Sequence, residues 1–300
     1  MKKEIAYDGE DLNNFLVLNA EFHADSLITC RLLRSNTIFE NTSIKYYFSD
    51  VSVQLFKNGV LHDSLAYDAR GYYKSFEAKA EIDAEYTFHV HYSGFDDLMA
   101  AAVIPKKVLA QIESITTKAK DLDPSIPFLY SNNQQVLHVK VKIQDAVGND
   151  FYRLRVYSRY SRFDFKTGLP LPDYYYYPTY YTSEDPVLTG NTVNVEDDFS
   201  ETPNNEYGVF NDELFDGQNY NLNFELDYYN DPENPREYYY QIDVQKISKD
   251  LYLYCKTIEA YHYYGDNPFS EPVRIHNNVK GGAGILGAST SNWLPIINVR

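Results

Sequence analysis

Val51-Ser52-Val53-Gln54-Leu55-Phe56-Lys57-Asn58-Gly59-Val60 alternates apolar and polar residues, then turns on Asn58-Gly59. Period-two alternation marks a strand with one buried face, and Asn-Gly supplies the positive φ angles of a tight hairpin turn. The pattern extends in both directions. Upstream lie Phe15 to Phe22 and Leu27 to Leu33; downstream lie Leu61 to Tyr67, Tyr72 to Phe76 and Glu85 to Tyr92. Short strands with a turn signal every roughly 8–12 residues predict a β-sandwich. Ala101-Ala102-Val103-Ile104-Pro105 closes it, so residues 13–107 read as the first domain and 108–300 as a second, β-rich one.

In the second domain, strands are expected at Gln135 to Gln144, Asp150 to Arg159, Tyr220 to Tyr228 and Glu237 to Ile247, the last two joined by a turn over Asn230 to Pro235. One helix is expected. Ser248 caps it, Leu251, Tyr254, Cys255, Ile258 and Tyr261 form its apolar stripe, and Gly265 stops it. Phe163 to Asp216, rich in Pro, Asp, Asn, Thr and Tyr, reads instead as a long loop, and loops of that length are generally functional or disordered.

The chain has 300 residues, enough for two domains with cores of their own. Its formal net charge of −16 argues against nucleic acid, whose binders present basic surfaces, and against direct adhesion to anionic lipid. Tyrosine is the compositional outlier, with 30 residues against 17 Phe and 1 Trp. Strands favour aromatics, which explains part of the excess; the rest suits a binding surface, because tyrosine joins a broad apolar face to a polar rim. Cys30 and Cys255 read as two buried thiols rather than a disulfide. No stretch approaches the length of apolar sequence that a membrane span needs, and no signal peptide is visible.

Few constellations suggest chemistry. His89-x-His91 places two imidazoles on one strand face but lacks a third ligand, and Asp96-Asp97 and Glu196-Asp197-Asp198 lack calcium-loop spacing. No nucleophile elbow appears, and so many acids make carboxylate pairs uninformative. No catalytic residue, metal ligand or cofactor is therefore assigned. The segment that asks for more than a fold is Asp173-Tyr174-Tyr175-Tyr176-Tyr177-Pro178-Thr179-Tyr180-Tyr181. So many tyrosines among Pro and Asp cannot all enter one core. Tyr174, Tyr175, Tyr176, Tyr177, Tyr180 and Tyr181 are the candidate ligand or partner contacts; the alternative is that they cover the flank of their own domain. Arg153, Arg155, Arg159 and Arg162 lie just upstream, the first three on one strand face, and Arg159 is taken as the cationic member of the site.

The C-terminal region runs Asn267-Pro268-Phe269-Ser270-Glu271-Pro272-Val273, then Asn277-Asn278-Val279-Lys280-Gly281-Gly282-Ala283-Gly284-Ile285-Leu286-Gly287-Ala288. Gly282-x-Gly284-x-x-Gly287 matches the dinucleotide fingerprint, but Pro295 and the absence of any acidic residue in the 13 positions that follow deny it the required context. The glycines read as positions of close backbone packing. The whole block resembles the closing signature of the domain of unknown function 4249 family, lipoproteins found mainly in Bacteroidota. The spacing of Val51-x-Val53, Gly71-Tyr72-Tyr73 and Tyr86-x-Phe88-x-Val90 is similar to that family's first domain, an immunoglobulin- or transthyretin-like sandwich.

The resemblance implies a cell-surface protein of the outer membrane, held there only by a lipid anchor, and an accessory role beside a TonB-dependent transporter in nutrient capture, without catalysis. Met1 stands where the anchor cysteine would be, so residues 1–12 are expected to be a flexible tether after a removed lipoprotein signal. Two other classes stay open: a structural or adhesive surface protein with no small-molecule ligand, and a glycan- or peptide-acting enzyme.

Overall fold

In the strand Leu16–His23 every second side chain is buried, and in Glu85–His91 the buried ones are Tyr86, Phe88 and Val90, as period two requires. The computed structural model describes residues 14–35, 47–119, 134–163, 166–167, 169–189, 205–229, 238–264 and 273–299. The expected tether, the run Glu196 to Asp198, the turn Asn230 to Pro235, most of the Asn-Pro-Phe turn and the Arg162 side chain lie outside the described residues and side chains. The chain is mostly β and divides into two compact units, Met1–Val103 with Asn277–Gly287, and Ile104–His276 with Ala288–Arg300. The sequence boundary at 107/108 gave the glycine block to the second domain; the compact units divide after Val103 and return that block to the first.

The first unit holds β1 (Leu16–His23), β2 (Leu27–Arg34), β3 (Ser52–Lys57), β4 (Val60–Tyr67), β5 (Tyr72–Lys79), β6 (Glu85–His91) and β7 (Leu98–Val103). Their pairing order is β1-β2-β5-β4-β3-β6-β7. β4 changes partner midway: Val60 to Leu65 follow β3, whereas Ala66 and Tyr67 pair with β5. With β4 as the switching strand, β1-β2-β5 and β3-β6-β7 form two layers in the seven-strand order of an immunoglobulin-type sandwich. The rings confirm the layering, since Phe22 of β1 meets Tyr86 and Phe88 of β6 edge-on at 5.8 and 5.2 Å, although those strands are far apart in pairing order. Tyr86 also closes the β5–β6 connection. Its hydroxyl donates to the Lys79 carbonyl and accepts from the Glu81 N–H, both at 3.1 Å, the tyrosine corner of such sandwiches.

The glycine block is structural here. The Asn278 side-chain amide exchanges two 2.9 Å hydrogen bonds with the backbone of Leu286, in the manner of a strand pair. That leaves the intervening backbone pressed against the first strand: a Cβ on Gly284, at φ +121°, would lie 1.9 Å from the Leu18 carbonyl oxygen.

The second unit is a further sandwich. One layer comprises β8 (Leu109–Ala119), β9 (Gln134–Gln144) and, beyond β9, the strand Asn219–Tyr229. The other is built on β10 (Phe151–Phe163), flanked on one side by β11 (Pro170–Pro178) and, after the short α1 (Pro186–Thr189), by β12 (Val209–Asn211). Asn219–Tyr229 is β13. On the other side of β10 runs β14 (Tyr238–Ile247), followed by α2 (Lys249–Tyr264). The end of β15 (Ala283–Trp293) and β16 (Ile297–Val299) pair along the far edge of β14. Val139, Val141, Leu222 and Phe224 of the first layer and Leu154, Val156, Ile242 and Val244 of the second share one core.

The helix forms where expected, with Ser248 at its start, but its buried face is rotated. Leu251, Tyr252, Cys255, Lys256, Glu259 and Ala260 are buried while Tyr261 is exposed. Leu251, Tyr252 and Cys255 pack with Val209 and Ile247 against the outer face of the sheet, and Phe151 meets Tyr252 at 4.9 Å. Lys256 and Glu259 are buried together, so burial lowers the pKa of the lysine and raises that of the glutamate, each opposed by the charge of the other. Cys30 and Cys255 are both buried and form no disulfide.

Candidate functional site

Tyr174 to Tyr177 are a strand rather than a loop. They form β11, an edge strand paired with β10 in the register Ser161↔Tyr174, Tyr160↔Tyr175, Arg159↔Tyr176 and Ser158↔Tyr177. An edge strand tolerates proline because its outer N–H groups need no partner, so the aromatic strand propensity outweighs the Pro punctuation. Pairing then splits the tyrosines by parity. Tyr174 and Tyr176 share the Arg159 face, while Tyr175 and Tyr177, 6.0 Å apart, share the other.

On the Arg159 face the guanidinium carbon lies 3.9 Å from the centre of the Tyr174 ring and 4.5 Å from that of Tyr239. Two such cation–π contacts stabilise the arrangement by about 0.5–2 kcal/mol each. Arg159 Nε is buried without a hydrogen-bond partner, and the two rings stack on this side chain.

The cross-strand register extends the face. Arg153 stands opposite Gln245 and then Ser291; Arg155 opposite Asp243 and then Trp293; Tyr157 opposite Gln241; Arg159 opposite Tyr239 and then Asn298. The rows nearest α2 are closed. Arg153 is buried and donates from Nε to Gln245 at 2.6 Å, so it is a structural residue and not part of the open surface. The later rows open to solvent, where Arg155 is exposed and Trp293, Tyr174 and Tyr176 are each 42–49% exposed.

Tyr157 and Trp293 sit on strands either side of β14, roughly 9–10 Å apart by strand spacing. Their ring centres are only 5.5 Å apart, so both rings lean inward over β14. Asp243 lies in the row of Trp293 and is fully buried. Its Oδ2 accepts from Gln245 at 2.6 Å and Ser291 at 2.9 Å, whereas Oδ1 has no hydrogen-bond partner. Burial raises the Asp243 pKa above the ordinary carboxylate range; the two hydrogen bonds and the charges of Arg153 and Arg155 pull against it.

Tyr180 and Tyr181 are separate from this face. Tyr180 is 95% exposed, and Tyr181 packs on the core with its ring 5.5 Å from Phe224. Together with Thr182, Leu188 and Asn205 they line a cavity of about 760 Å³. Of the predicted contacts, the structure thus brings Arg159, Tyr174 and Tyr176 together, turns Tyr175 and Tyr177 to the opposite face and places Tyr180 and Tyr181 beside a cavity.

The other chemistry-bearing groups are engaged in the fold. His91 bonds Asp97 at 2.6 Å and His89 stacks 4.5 Å from Phe56. Asp145, Asp150 and Asp212 bring carboxylate oxygens within 4.8 Å of one another, the kind of grouping that could hold a cation. Here Lys246 pairs with Asp150, the Tyr152 hydroxyl donates to Asp145, and backbone N–H groups of Gly217 and Asp150 donate to Asp145 and Asp212. The trio therefore ties the β9–β10 loop to the segment around Asp212 without needing a metal to do so. No helix among the described residues is long and apolar enough to cross a membrane.

The family model named Domain of unknown function (DUF4249) matches residues 2–292, including the whole of the glycine block. The chain belongs to the DUF4249 family. No curated protein matches this sequence. Among solved structures, a Corynebacterium diphtheriae protein named as membrane anchored shares 13% identity over 91% of this chain at a TM-score of 0.21, and this chain covers 59% of its length. The collagen adhesin CNA of S. aureus shares 8% identity, with 95% of each chain covered, at a TM-score of 0.18. At those scores neither bears on what this DUF4249 protein does.

Proposed function

We propose that this DUF4249 chain is a non-catalytic binding protein, lipid-anchored at the outer-membrane surface, that captures a nutrient for a TonB-dependent transporter. The observation that carries the binding part is the open sheet face of the second unit, where Arg159 is held between Tyr174 and Tyr239 and Trp293 stands half exposed in the cross-strand row of Arg155. Large aromatic and arginine side chains combine contact area with few rotatable bonds, which is why they dominate binding surfaces. Their positions here are set by strand register and ring stacking, so the surface is organised before anything binds, and little ordering entropy opposes association. The membrane and transporter parts rest on the family resemblance.

The test is purification of the lipidated protein from its native membrane in mild detergent, followed by mass spectrometry of what accompanies it. A stoichiometric TonB-dependent transporter is the expected result. Recovery of the protein with no transporter above background would overturn the accessory role.

A further inference from the structure

The open face also indicates the chemistry of its ligand. Exposed Arg155 and buried Asp243 are adjacent in one cross-strand row and offset each other, and the second arginine, Arg159, has both guanidinium faces taken by the Tyr174 and Tyr239 rings, so an anion or a cation would gain little there. The remaining polar groups, Gln241 and Asn298, are neutral. An acceptor is left over in the row of Trp293, the partnerless Oδ1 of Asp243. Leaving a buried polar atom without a partner is unfavourable, and a ligand donor removes that penalty. A donor able to meet Asp243 and an acceptor able to meet Arg155, on a body with an apolar face for the rings, describe a polyol.

Resting on the binding-protein reading above, we propose that the face takes a neutral carbohydrate chain. One sugar ring lays its C–H face on Trp293 and Tyr157. A hydroxyl donates to Asp243 Oδ1, uncovered by rotation of the half-exposed Trp293 ring, and a neighbouring hydroxyl accepts from the Arg155 guanidinium. Tyr239, Tyr174 and Tyr176 continue the aromatic platform towards β11, so an extended chain is favoured over a monosaccharide. An acidic peptide fits less well, because its carboxylates have no donor for Asp243 and the faces of Arg159 are already occupied by tyrosine rings.

The chain has a single tryptophan, Trp293, so its fluorescence reports this face alone. The experiment titrates the purified chain with dextran, mannan, xylan and laminarin, with polygalacturonate as the acidic comparator and a casein digest as the peptide comparator. Tyr157→Ala and Asp243→Asn remove the platform and the acceptor, and Phe76→Ala, at the 88% exposed aromatic of the first unit, is the control. Melting curves show which variants are folded, and Arg155→Gln serves if Asp243→Asn is not. We expect a saturable shift with at least one neutral polysaccharide, weakened about tenfold or more by the site variants, as loss of one good hydrogen bond gives, and unchanged in Phe76→Ala. A neutral-polysaccharide response that the folded site variants leave unchanged would overturn the proposal, as would a response to polygalacturonate alone. Peptides that shift Trp293 when no glycan does would overturn the carbohydrate class and keep the face as a binding surface. Silence with every probe would remove the binding reading as well.

Discussion

Replacing Gly284 by alanine tests whether the family's glycine block is a packing device. The added Cβ would stand 1.9 Å from the Leu18 carbonyl oxygen, on a residue at φ +121°. Carbon–oxygen contacts normally stay beyond about 3.3 Å, so the backbones must separate by about 1.4 Å. A hydrogen bond stretched that far is lost, at about 1 kcal/mol net for each ladder bond. Left-handed strain adds about 1–3 kcal/mol. With two or three bonds affected, the cost is about 3–6 kcal/mol, a large part of the roughly 5–15 kcal/mol that typically stabilises a domain. Gly59→Ala is the matched control, since Gly59 sits at φ +78° with nothing within 4 Å of its Cβ position, leaving a conformational cost of about 1–2 kcal/mol. Scanning calorimetry of both variants should show the first unit melting well below wild type for Gly284→Ala and only slightly below for Gly59→Ala. Equal, small shifts would refute the close-approach explanation.

Tyr86→Phe should destabilise the first unit by about 1–3 kcal/mol in urea unfolding, because the Glu81 N–H and the Lys79 carbonyl both lose a partner. Tyr181→Ala should lower stability by about 2–4 kcal/mol while Tyr180→Ala changes it by less than about 0.5, since only the first ring packs on the core. The pKa of Asp212 is raised by burial first and then by Asp145 and Asp150. A carboxylate raised in the folded state favours folding more as pH falls through its folded value, fully so below its unfolded value near 3.8. Asp212→Asn should therefore lack part of the stabilisation that wild type gains on mild acidification, read from denaturant midpoints between neutral pH and that value. Neither thiol should react with Ellman's reagent before unfolding, because both are buried and burial pushes the Cys30 thiol up in pKa.

Local pattern made the strands legible, and topology decided what sequence could not show. The alternation from Val51 and the Asn58-Gly59 turn identify β3 and β4 directly, and Tyr86-x-Phe88-x-Val90 marks the buried face of β6. Gln241-Ile242-Asp243-Val244-Gln245 likewise alternates in plain view, announcing a polar face on β14. Nothing local says that β14 lies between β10 and β15, so the meeting of Tyr157 with Trp293 across β14, and of Arg159 with Tyr239, required the fold. Tyr174 to Tyr177 were recognisable by composition, but Pro178 and Asp173 suggested a loop where pairing with β10 makes a strand. The rotation of α2 has a similar cause. Lys256 and Glu259 are charged and so have no place in an apolar stripe, yet each offsets the other's burial.

Hydroxyl-radical footprinting, comparing the lipidated protein in its native membrane with the purified chain, tests most directly whether the open face of the second unit is the working surface. Oxidation is read at Tyr174, Tyr176 and Trp293, with Phe76 as the exposed reference. Protection of those three in the membrane, with Phe76 oxidised equally in both samples, is the predicted result. Equal oxidation of Tyr174, Tyr176 and Trp293 in both samples would contradict the assignment.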